Sequence, residues 1–222
     1  MPKTQPVNTS NNGIGKRLWI DMADWTGDGN SIFKTLGASN HTDKEREQHD
    51  FYATDPAAID LLIKKVDLPK QILEPACGSG CLSVRLEELG HDVKSCDLVD
   101  RGFGEVRDFF ALTEPPFVGD YAIVTNPPYK FAKEFCIHAI ELVPVGGLVC
   151  MFLKTTFAEG KGRFNSLFSI YPPLKVLQCV ERVLCAKNGD FDYMRRHGGS
   201  AVAYAWWIWQ KGYKGNTILD WV

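Results

Sequence analysis

The chain has 222 residues, of which 45% are hydrophobic and 23% are charged, a composition typical of one globular domain with its own core. It argues against a disordered chain, a collagen-like repeat and a mucin-like stalk. The longest apolar runs, 148–153 and 201–209, are too short to cross a bilayer as helices, and residues 1–6 lack the apolar core of a signal peptide. We therefore expect a cytoplasmic protein with no membrane partner.

Seven cysteines, an odd number, are scattered through apolar segments, which favours a reducing compartment. No Cys/His set has the spacing of a zinc finger, so we predict no metal site. The net charge of −2 is unevenly distributed, because residues 1–153 hold 15 basic and 22 acidic side chains, whereas residues 154–222 hold 10 and 5. The basic second part predicts a surface that faces an anion, although a chance excess on a solvated face predicts the same pattern.

Residues 1–50 are polar and rich in turn-forming residues, which predicts an extended, partly ordered arm, followed by one domain over residues 51–222. From Asp55-Pro56, a typical helix start, helical and strand patterns alternate. The predicted strands cover residues 71–74, 92–97, 121–125, 148–153, 174–180 and 201–210. The predicted helices cover residues 59–66, 82–89, 131–142 and 164–171. This order predicts an α/β fold with a mostly parallel central sheet and helices on both faces.

A glycine-rich turn, Glu74-Pro-Ala-Cys-Gly-Ser-Gly80, joins the first predicted strand to its helix, where open α/β sheets bind ligands. Gly78 and Gly80 allow the backbone to approach a ligand closely. The turn lacks the third glycine of a dinucleotide fingerprint and the Gly-Lys-Ser/Thr of a phosphate loop, so neither motif explains it. By itself, the turn equally predicts a tight strand–helix connection.

Two acidic positions follow the turn in the order that a nucleoside ligand requires. Asp97 ends the second predicted strand, where a carboxylate can accept both hydroxyls of a ribose. Asp108 and Phe109 can offer an adenine ring one acceptor and one stacking face. A solvated loop explains each acidic position better when it is taken alone, whereas all of these features in order indicate a nucleoside site.

Asn126-Pro127-Pro128-Tyr129 follows the predicted strand 121–125, at the same edge of the sheet as the glycine turn. The two prolines stiffen the turn and remove two N–H donors. What remains is a pair of acceptors, the Asn126 side-chain oxygen and the Pro127 carbonyl, beside the aromatic ring of Tyr129. Two acceptors that receive hydrogen bonds from an exocyclic amine localise the lone pair of its nitrogen. They also stabilise the positive charge that develops on the nitrogen during attack. The ring can stack on a planar base.

In this order, these motifs resemble those of S-adenosylmethionine-dependent DNA adenine-N6 methyltransferases, in particular the small phage- or prophage-type enzymes. The resemblance covers roughly residues 40–222, including Phe51-Tyr-Ala-Thr54 and the tryptophan-rich segment 206–213. It implies the Rossmann-like class I methyltransferase fold, S-adenosylmethionine as cofactor and an adenine in DNA as target. We expect no separate target-recognition domain of the kind that the larger restriction-type enzymes carry.

The resemblance also implies a role for each matched residue. The cofactor-binding set comprises Tyr52, Thr54, Pro75, Ala76, Cys77, Gly78 and Gly80 at the methionine end, Asp97 at the ribose, and Asp108 with Phe109 at the adenine. The catalytic set, which holds the target base, comprises Asn126, Pro127, Pro128 and Tyr129.

Sequence readout is expected from two loops, 155–163 and 186–200. The second loop is basic and glycine-rich, which predicts a mobile loop that becomes ordered on nucleic acid, although a flexible surface loop has the same composition. Its predicted nucleic-acid-binding residues are Lys187, Arg195, Arg196 and His197.

Two alternative functions are compatible with the sequence, one that shares the Asn-Pro-Pro-Tyr motif and one that shares the fold. The first is a methyltransferase that acts on RNA or on a protein glutamine, since both substrates offer a planar or amide nitrogen. The second is a catalytically silent nucleic-acid-binding module. The basic second part favours nucleic acid, and the complete tetrad favours catalysis. The pattern leaves the oligomeric state open.

Overall fold

The computed structural model describes residues 52–186, 189–197 and 199–222; the arm predicted over residues 1–50 and Lys187 lie outside these ranges. The strands in the described ranges are β1 (Ala53–Thr54), β2 (Gln71–Glu74), β3 (Asp92–Asp97), β4 (Glu105–Val106), β5 (Tyr121–Thr125), β6 (Leu148–Lys154), β7 (Lys175–Gln178), β8 (Cys185–Ala186), β9 (Tyr204–Gln210) and β10 (Ile218–Trp221). The helices are α1 (Ala57–Ile63), α2 (Cys81–Glu88), α3 (Ala132–Leu142), α4 (Lys161–Arg163, continuing as a π-helix over Phe164–Phe168) and α5 (Phe191–Arg196). Short 3-10 turns cover Phe109–Ala111, Tyr129–Phe131 and Thr155–Ala158.

Eight strands form one sheet in the order β10-β7-β9-β6-β5-β2-β3-β4, and β1 forms a separate antiparallel pair with β8. In the large sheet, β9 runs antiparallel to β6 and β7, and the other neighbours are parallel. The chain proceeds outward from β2 through β3 to β4 and then crosses to the other side at β5. The strand order therefore reverses between β2 and β5, and ligands of open α/β sheets bind at the carboxyl ends of such strands.

Helices cover both faces of the sheet. On one face of the sheet, Ile72 of β2 packs with Ile59 of α1 and with the buried residues of α2. On the other face, the next residue, Leu73, packs with Phe135 and the other buried residues of α3. Neighbouring residues of a strand point to opposite faces, so the apolar strands carry both layers of the core. The predicted α/β fold, with a mostly parallel sheet and helices on both faces, is confirmed.

The strands predicted at 71–74, 92–97 and 121–125 have the observed bounds, and those at 174–180 and 201–210 shorten to β7 and β9. The helix predicted at 164–171 is shorter than expected and is a π-helix, Phe164–Phe168, that continues α4. The sequence did not predict β1, β4, β8 or β10. Among the described residues, no helix has the length and apolar character that a membrane-spanning segment requires.

Candidate active site

The glycine-rich turn lies between β2 and α2, beside the point where the strand order reverses, and hydrogen bonds fix it against β3. Cys77 N donates to Cys96 O at 3.0 Å, and Gly78 N donates to Asp97 Oδ2 at 2.9 Å. Gly78 and Gly80 have φ values of 55° and 85°, which favour glycine. Pro75 is buried and Ala76 packs against the core, so the first half of the turn anchors the second.

Asp97, the predicted ribose ligand, is half-buried at the end of β3, and its carboxylate accepts hydrogen bonds from two loops. Besides the bond from Gly78 N to Oδ2, its Oδ1 accepts a hydrogen bond from Val99 N at 3.0 Å. A carboxylate has about four acceptor sites, so two backbone N–H groups leave sites for two ligand hydroxyls. Asp97 therefore also fixes the turn, a second role that its place in the sequence does not reveal.

Phe103, which the sequence analysis missed, lies directly against the turn. A Cβ atom built on Gly80 would meet the Phe103 ring at 2.5 Å, and one on Gly104 would meet Cys77 Sγ at 2.8 Å. Cys77 Sγ donates to Phe103 O at 3.6 Å, and burial raises the pKa of this thiol to about 12. Cys77 is therefore a neutral packing and hydrogen-bonding group in the turn.

We expect Gly80→Ala to lower the free energy of unfolding by about 2–4 kcal/mol. The new methyl group must displace the Phe103 ring, and the positive φ already strains any side chain. Gly90→Ala is the matched control, because Gly90 has a similar φ of 90° but open space around its Cβ position. Chemical denaturation of both variants measures the difference. Equal losses would show that the ring does not constrain the turn.

Glu74, at the start of the turn, is a buried carboxyl group. Burial raises its pKa to about 8, against the hydrogen bonds from Ser83, and the nearby charge of Asp97 raises it further. Ser83 Oγ donates to Glu74 Oε2 and is 2.6 Å from Ser95 Oγ. Burial thus favours the protonated form of Glu74, which links β2 to α2 and, through the serines, to β3.

Asn126 follows β5, and its two amide atoms have different surroundings. Nδ2 donates to Thr54 Oγ1 at 2.8 Å and contacts Cys185 Sγ at 3.8 Å. Oδ1 is buried and has no hydrogen-bond partner among the described residues. Buried hydrogen-bond acceptors in proteins are nearly always paired. The unpaired Oδ1 therefore favours a ligand that donates a hydrogen bond to it. Pro127, the next residue, is also buried.

The Tyr129 ring lies at the start of the short turn that follows Pro128. Its hydroxyl is 2.9 Å from the hydroxyl of Tyr204, and burial raises its pKa well above the ordinary value. Lys154 Nζ lies 4.5 Å from the ring centroid, and the Tyr52 ring lies 6.4 Å away at 28°. The ring is thus fixed by a hydrogen bond, a cation and a second aromatic side chain.

Tyr52 and Thr54 are brought next to the Asn-Pro-Pro-Tyr turn. The Tyr52 ring stacks towards Tyr129, and the Thr54 hydroxyl accepts from the amide of Asn126. Thr54, which was predicted to lie against the methionine part of a cofactor, is 4% exposed, and its hydroxyl contacts Asn126. The β1–β8 pair that carries Thr54 has no local sequence signal.

Phe109 is not placed as predicted. We expected the ring to offer a stacking face to adenine, whereas it is 2% exposed and packs on Phe135 and His138 at 5.0 and 4.6 Å between centroids. The Phe109 ring belongs to the buried core. Asp108 caps the short turn that begins at Phe109 by accepting a hydrogen bond from Phe110 N at 2.9 Å. Asp108 itself is exposed, and the structure gives it this capping role.

The segment 186–200 was predicted as one long mobile loop, and this prediction is wrong in part. Cys185–Ala186 pairs with β1, and Phe191–Arg196 forms α5, whose N-cap Asp190 accepts from Tyr193 N at 2.9 Å. The sequence carries the corresponding signals, an N-cap aspartate, Asp192 in the first turn and two arginines in the last. The high glycine content around the helix obscured them.

The predicted nucleic-acid-binding residues in the described part of this segment are exposed. Arg195 forms ion pairs with Asp55 at 2.7 Å and with Asp192 at 3.2 Å. Arg196 Nε donates to Asp192 O, and the His197 ring stacks on Tyr193 at 4.0 Å between centroids. The pair with Asp55 ties α5 to the residue after β1.

The glycine turn follows β2 and the Asn-Pro-Pro-Tyr turn follows β5, so both turns lie at the edge of the sheet where the strand order reverses. This fold can be compared with the folds of known proteins. No protein-family model matches the chain, and no curated protein matches it in sequence. One solved structure, a Listeria monocytogenes protein assigned to the class I S-adenosylmethionine-dependent methyltransferases, matches with a TM-score of 0.50 at 14% identity, over 86% of this chain and 71% of that one.

A second solved structure is the modification subunit of a Vibrio vulnificus protein assigned as a type I restriction enzyme. It matches with a TM-score of 0.50 at 12% identity over 85% of this chain and 48% of that one, so the chain spans about half the length of that subunit. These likenesses, together with the strand order and the turn at its reversal point, show that the chain has the Rossmann-like fold of the class I methyltransferases.

Proposed function

We propose that this protein transfers the methyl group of S-adenosylmethionine to the exocyclic N6 amine of an adenine flipped out of DNA. The observation that carries the proposal is Asn126 Oδ1, a buried acceptor with no partner in the described part of the chain. Leaving such an acceptor unpaired costs free energy, so the site favours a ligand that donates a hydrogen bond. The amine of adenine carries two N–H donors and a flat ring, which suits an acceptor beside Tyr129.

The glycine turn and Asp97 fit S-adenosylmethionine as the cofactor. The turn presents backbone at positive φ to the sheet edge, and Asp97 has acceptor sites beyond its two backbone bonds. Asp97 would hold the ribose, and residues 75–80 would hold the methionine end. When bound, the cofactor supplies an electrophilic methyl group on a sulfonium. The assigned activities of the two structural relatives are compatible with this choice.

The residues of the chain orient the amine and stabilise charge. Asn126 Oδ1 accepts one N–H of the amine and the Pro127 carbonyl accepts the other, so both oxygens face the positive charge that develops on nitrogen. Tyr129 stacks on the base, with its hydroxyl fixed by Tyr204. A sulfonium methyl group is reactive enough that no strong base is required, and the main requirement is in-line positioning at near-attack distance.

The motif resemblance to phage-type adenine-N6 enzymes and the basic second part of the chain support DNA as the partner. An adenine inside a duplex cannot reach the edge of the sheet, so the base must leave the stack. The arginines of α5 are exposed on the segment that adjoins β1, from which Thr54 contacts Asn126. We propose that this helix contacts the phosphate backbone near the flipped base.

We expect Arg195→Ala combined with Arg196→Ala to weaken DNA binding and to flatten its dependence on salt concentration. Each lost phosphate contact should lower the slope of log K against log salt by about one. The matched control is Lys64→Ala with Lys65→Ala, which removes the same charge on the connection that leads into the amino end of β2. Equal slopes for both double variants would show that α5 is only a solvated surface.

The proposed function is tested by transfer of a labelled methyl group to three substrates offered separately: DNA, RNA, and a peptide with a central glutamine. Digestion of the DNA should place the label on N6-methyladenine. Label in RNA or in the peptide would establish one of the other Asn-Pro-Pro-Tyr activities instead. The absence of transfer, together with no cofactor binding by calorimetry, would identify a silent nucleic-acid-binding module.

A further inference from the structure

The two-stranded pair β1–β8 lies directly against Asn126. Thr54 is opposite Cys185 and Ala53 is opposite Ala186, and Asp55 N extends the pair by donating to Leu184 O at 2.9 Å. These two segments are far apart in the sequence and come together at this pair. The pair therefore places side chains from two distant segments beside the proposed catalytic residue.

Both side chains that the pair directs at Asn126 are buried. Thr54 is 4% exposed and Cys185 is 7% exposed, and both contact the nitrogen of the amide, at 2.8 and 3.8 Å. The opposite atom, Oδ1, has no partner in the described ranges. Nδ2 carries two N–H groups, and Thr54 and Cys185 supply one acceptor for each, so the observed orientation pairs both donors. An amide turned by 180° would direct its oxygen at these two side chains and lose both N–H contacts.

The orientation of this amide matters for the proposed chemistry. If the group were turned by 180°, the NH₂ donor would occupy the position of Oδ1 and would face the amine of the substrate, which also donates. An acceptor is required there, because it must receive a hydrogen bond from the amine and stabilise the positive charge that develops on its nitrogen. A buried hydrogen bond on the nitrogen holds the side chain in the useful orientation before any substrate binds.

We propose that Thr54, assisted by Cys185, is a positioning residue that holds the Asn126 amide with its oxygen towards the reacting amine. The inference rests on the proposed function and assigns the Thr54 side chain to Asn126 instead of the cofactor. Thr54 supplies the stronger contact, because a hydroxyl oxygen is a better acceptor than sulfur. Burial raises the pKa of the Cys185 thiol, so this side chain stays neutral and contributes a weak contact.

Thr54→Val tests the proposal, because it keeps the side-chain shape and removes the hydroxyl. Thr125→Val is the matched control: Thr125 precedes Asn126, is fully buried, and its hydroxyl has no partner among the described residues. Thr54→Ser restores a hydroxyl at the first position. Each variant is made with Asn126 intact and with Asn126→Ala, and all are compared in kcat, KM for DNA, cofactor affinity by calorimetry, and thermal unfolding.

Thr54→Val should lower kcat by about tenfold with cofactor affinity within about twofold of wild type, and Thr54→Ser should recover most of the activity. Thr125→Val should keep kcat within about twofold. In the Asn126→Ala background, Thr54→Val should cause no further loss, since its effect acts through that amide. Cys185→Ala should cause a smaller loss than Thr54→Val.

Three results would overturn the inference while leaving the proposed function in place. A loss of cofactor affinity with unchanged kcat would make Thr54 a cofactor ligand. Equal losses for Thr54→Val and Thr125→Val would indicate packing alone, and an undiminished loss in the Asn126→Ala background would show that Thr54 does not act through Asn126. If the wild-type protein transfers no methyl group to adenine in DNA, the proposed function fails and the inference fails with it.

Discussion

Replacing Asn126 with alanine should lower the turnover of methyl transfer to DNA by about a hundredfold or more. The substitution removes Oδ1, the buried acceptor that is aligned before the substrate arrives, and loss of one preorganised partner of a developing charge typically has an effect of this size. Single-turnover transfer of a labelled methyl group to defined DNA measures the rate of the chemical step. Cofactor affinity, measured by calorimetry, should change by no more than about twofold.

Asn126→Gln is the matched variant, because it retains the amide but moves it by one methylene group. Its turnover should also fall far below that of wild type, since Thr54 and Cys185 hold the amide at a fixed position. Full turnover in Asn126→Ala would remove the residue from the mechanism. Full turnover in Asn126→Gln alone would show that the position of the amide is unimportant.

Asp97→Ala should weaken S-adenosylmethionine binding by about tenfold or more. The substitution removes the proposed acceptor for the ribose hydroxyls. Leaving a buried hydrogen-bonding group without its partner costs about 1–3 kcal/mol. It also removes the acceptor of Gly78 N and Val99 N, so the glycine turn should become less well fixed and the free energy of unfolding should fall as well. Calorimetry and chemical denaturation measure the two effects separately.

Asp100→Ala is the control for this prediction. Asp100 lies three residues further on, is exposed, and accepts a hydrogen bond from Gly102 N at 2.9 Å, so its removal should change cofactor affinity little. If Asp100→Ala weakens binding and Asp97→Ala does not, the ribose contact belongs to Asp100. If neither variant weakens binding, this edge of the sheet does not hold the ribose.

The parts of the fold that the sequence predicts well are those with local signals. The strands β2, β3 and β5 are short segments bounded by turn residues, and each has the predicted bounds. Their order along the chain, together with parallel pairing, places the turn after β2 and the turn after β5 at one edge. The two main motifs of the candidate site could therefore be brought together from the sequence alone.

The remaining parts depend on contacts between distant segments. The pair of β1 with β8 joins residues 131 positions apart, and two-residue strands have no pattern that distinguishes them from loops. The contact of Thr54 with Asn126 therefore could not be predicted, although both residues were singled out. For Phe109, an aromatic residue after an aspartate suits a core position as well as a stacking position, and burial decided between them.

The most direct test of the central claim is sequencing for modified bases of the DNA of a bacterial strain that lacks its own methyltransferases and expresses this protein. We predict N6-methyladenine at one recurring sequence context in the strain that expresses the wild-type protein, and its loss in a strain that expresses Asn126→Ala at the same level. If folded wild-type protein leaves adenine unmodified to the same extent as Asn126→Ala, the claim that this protein is a DNA adenine-N6 methyltransferase is contradicted.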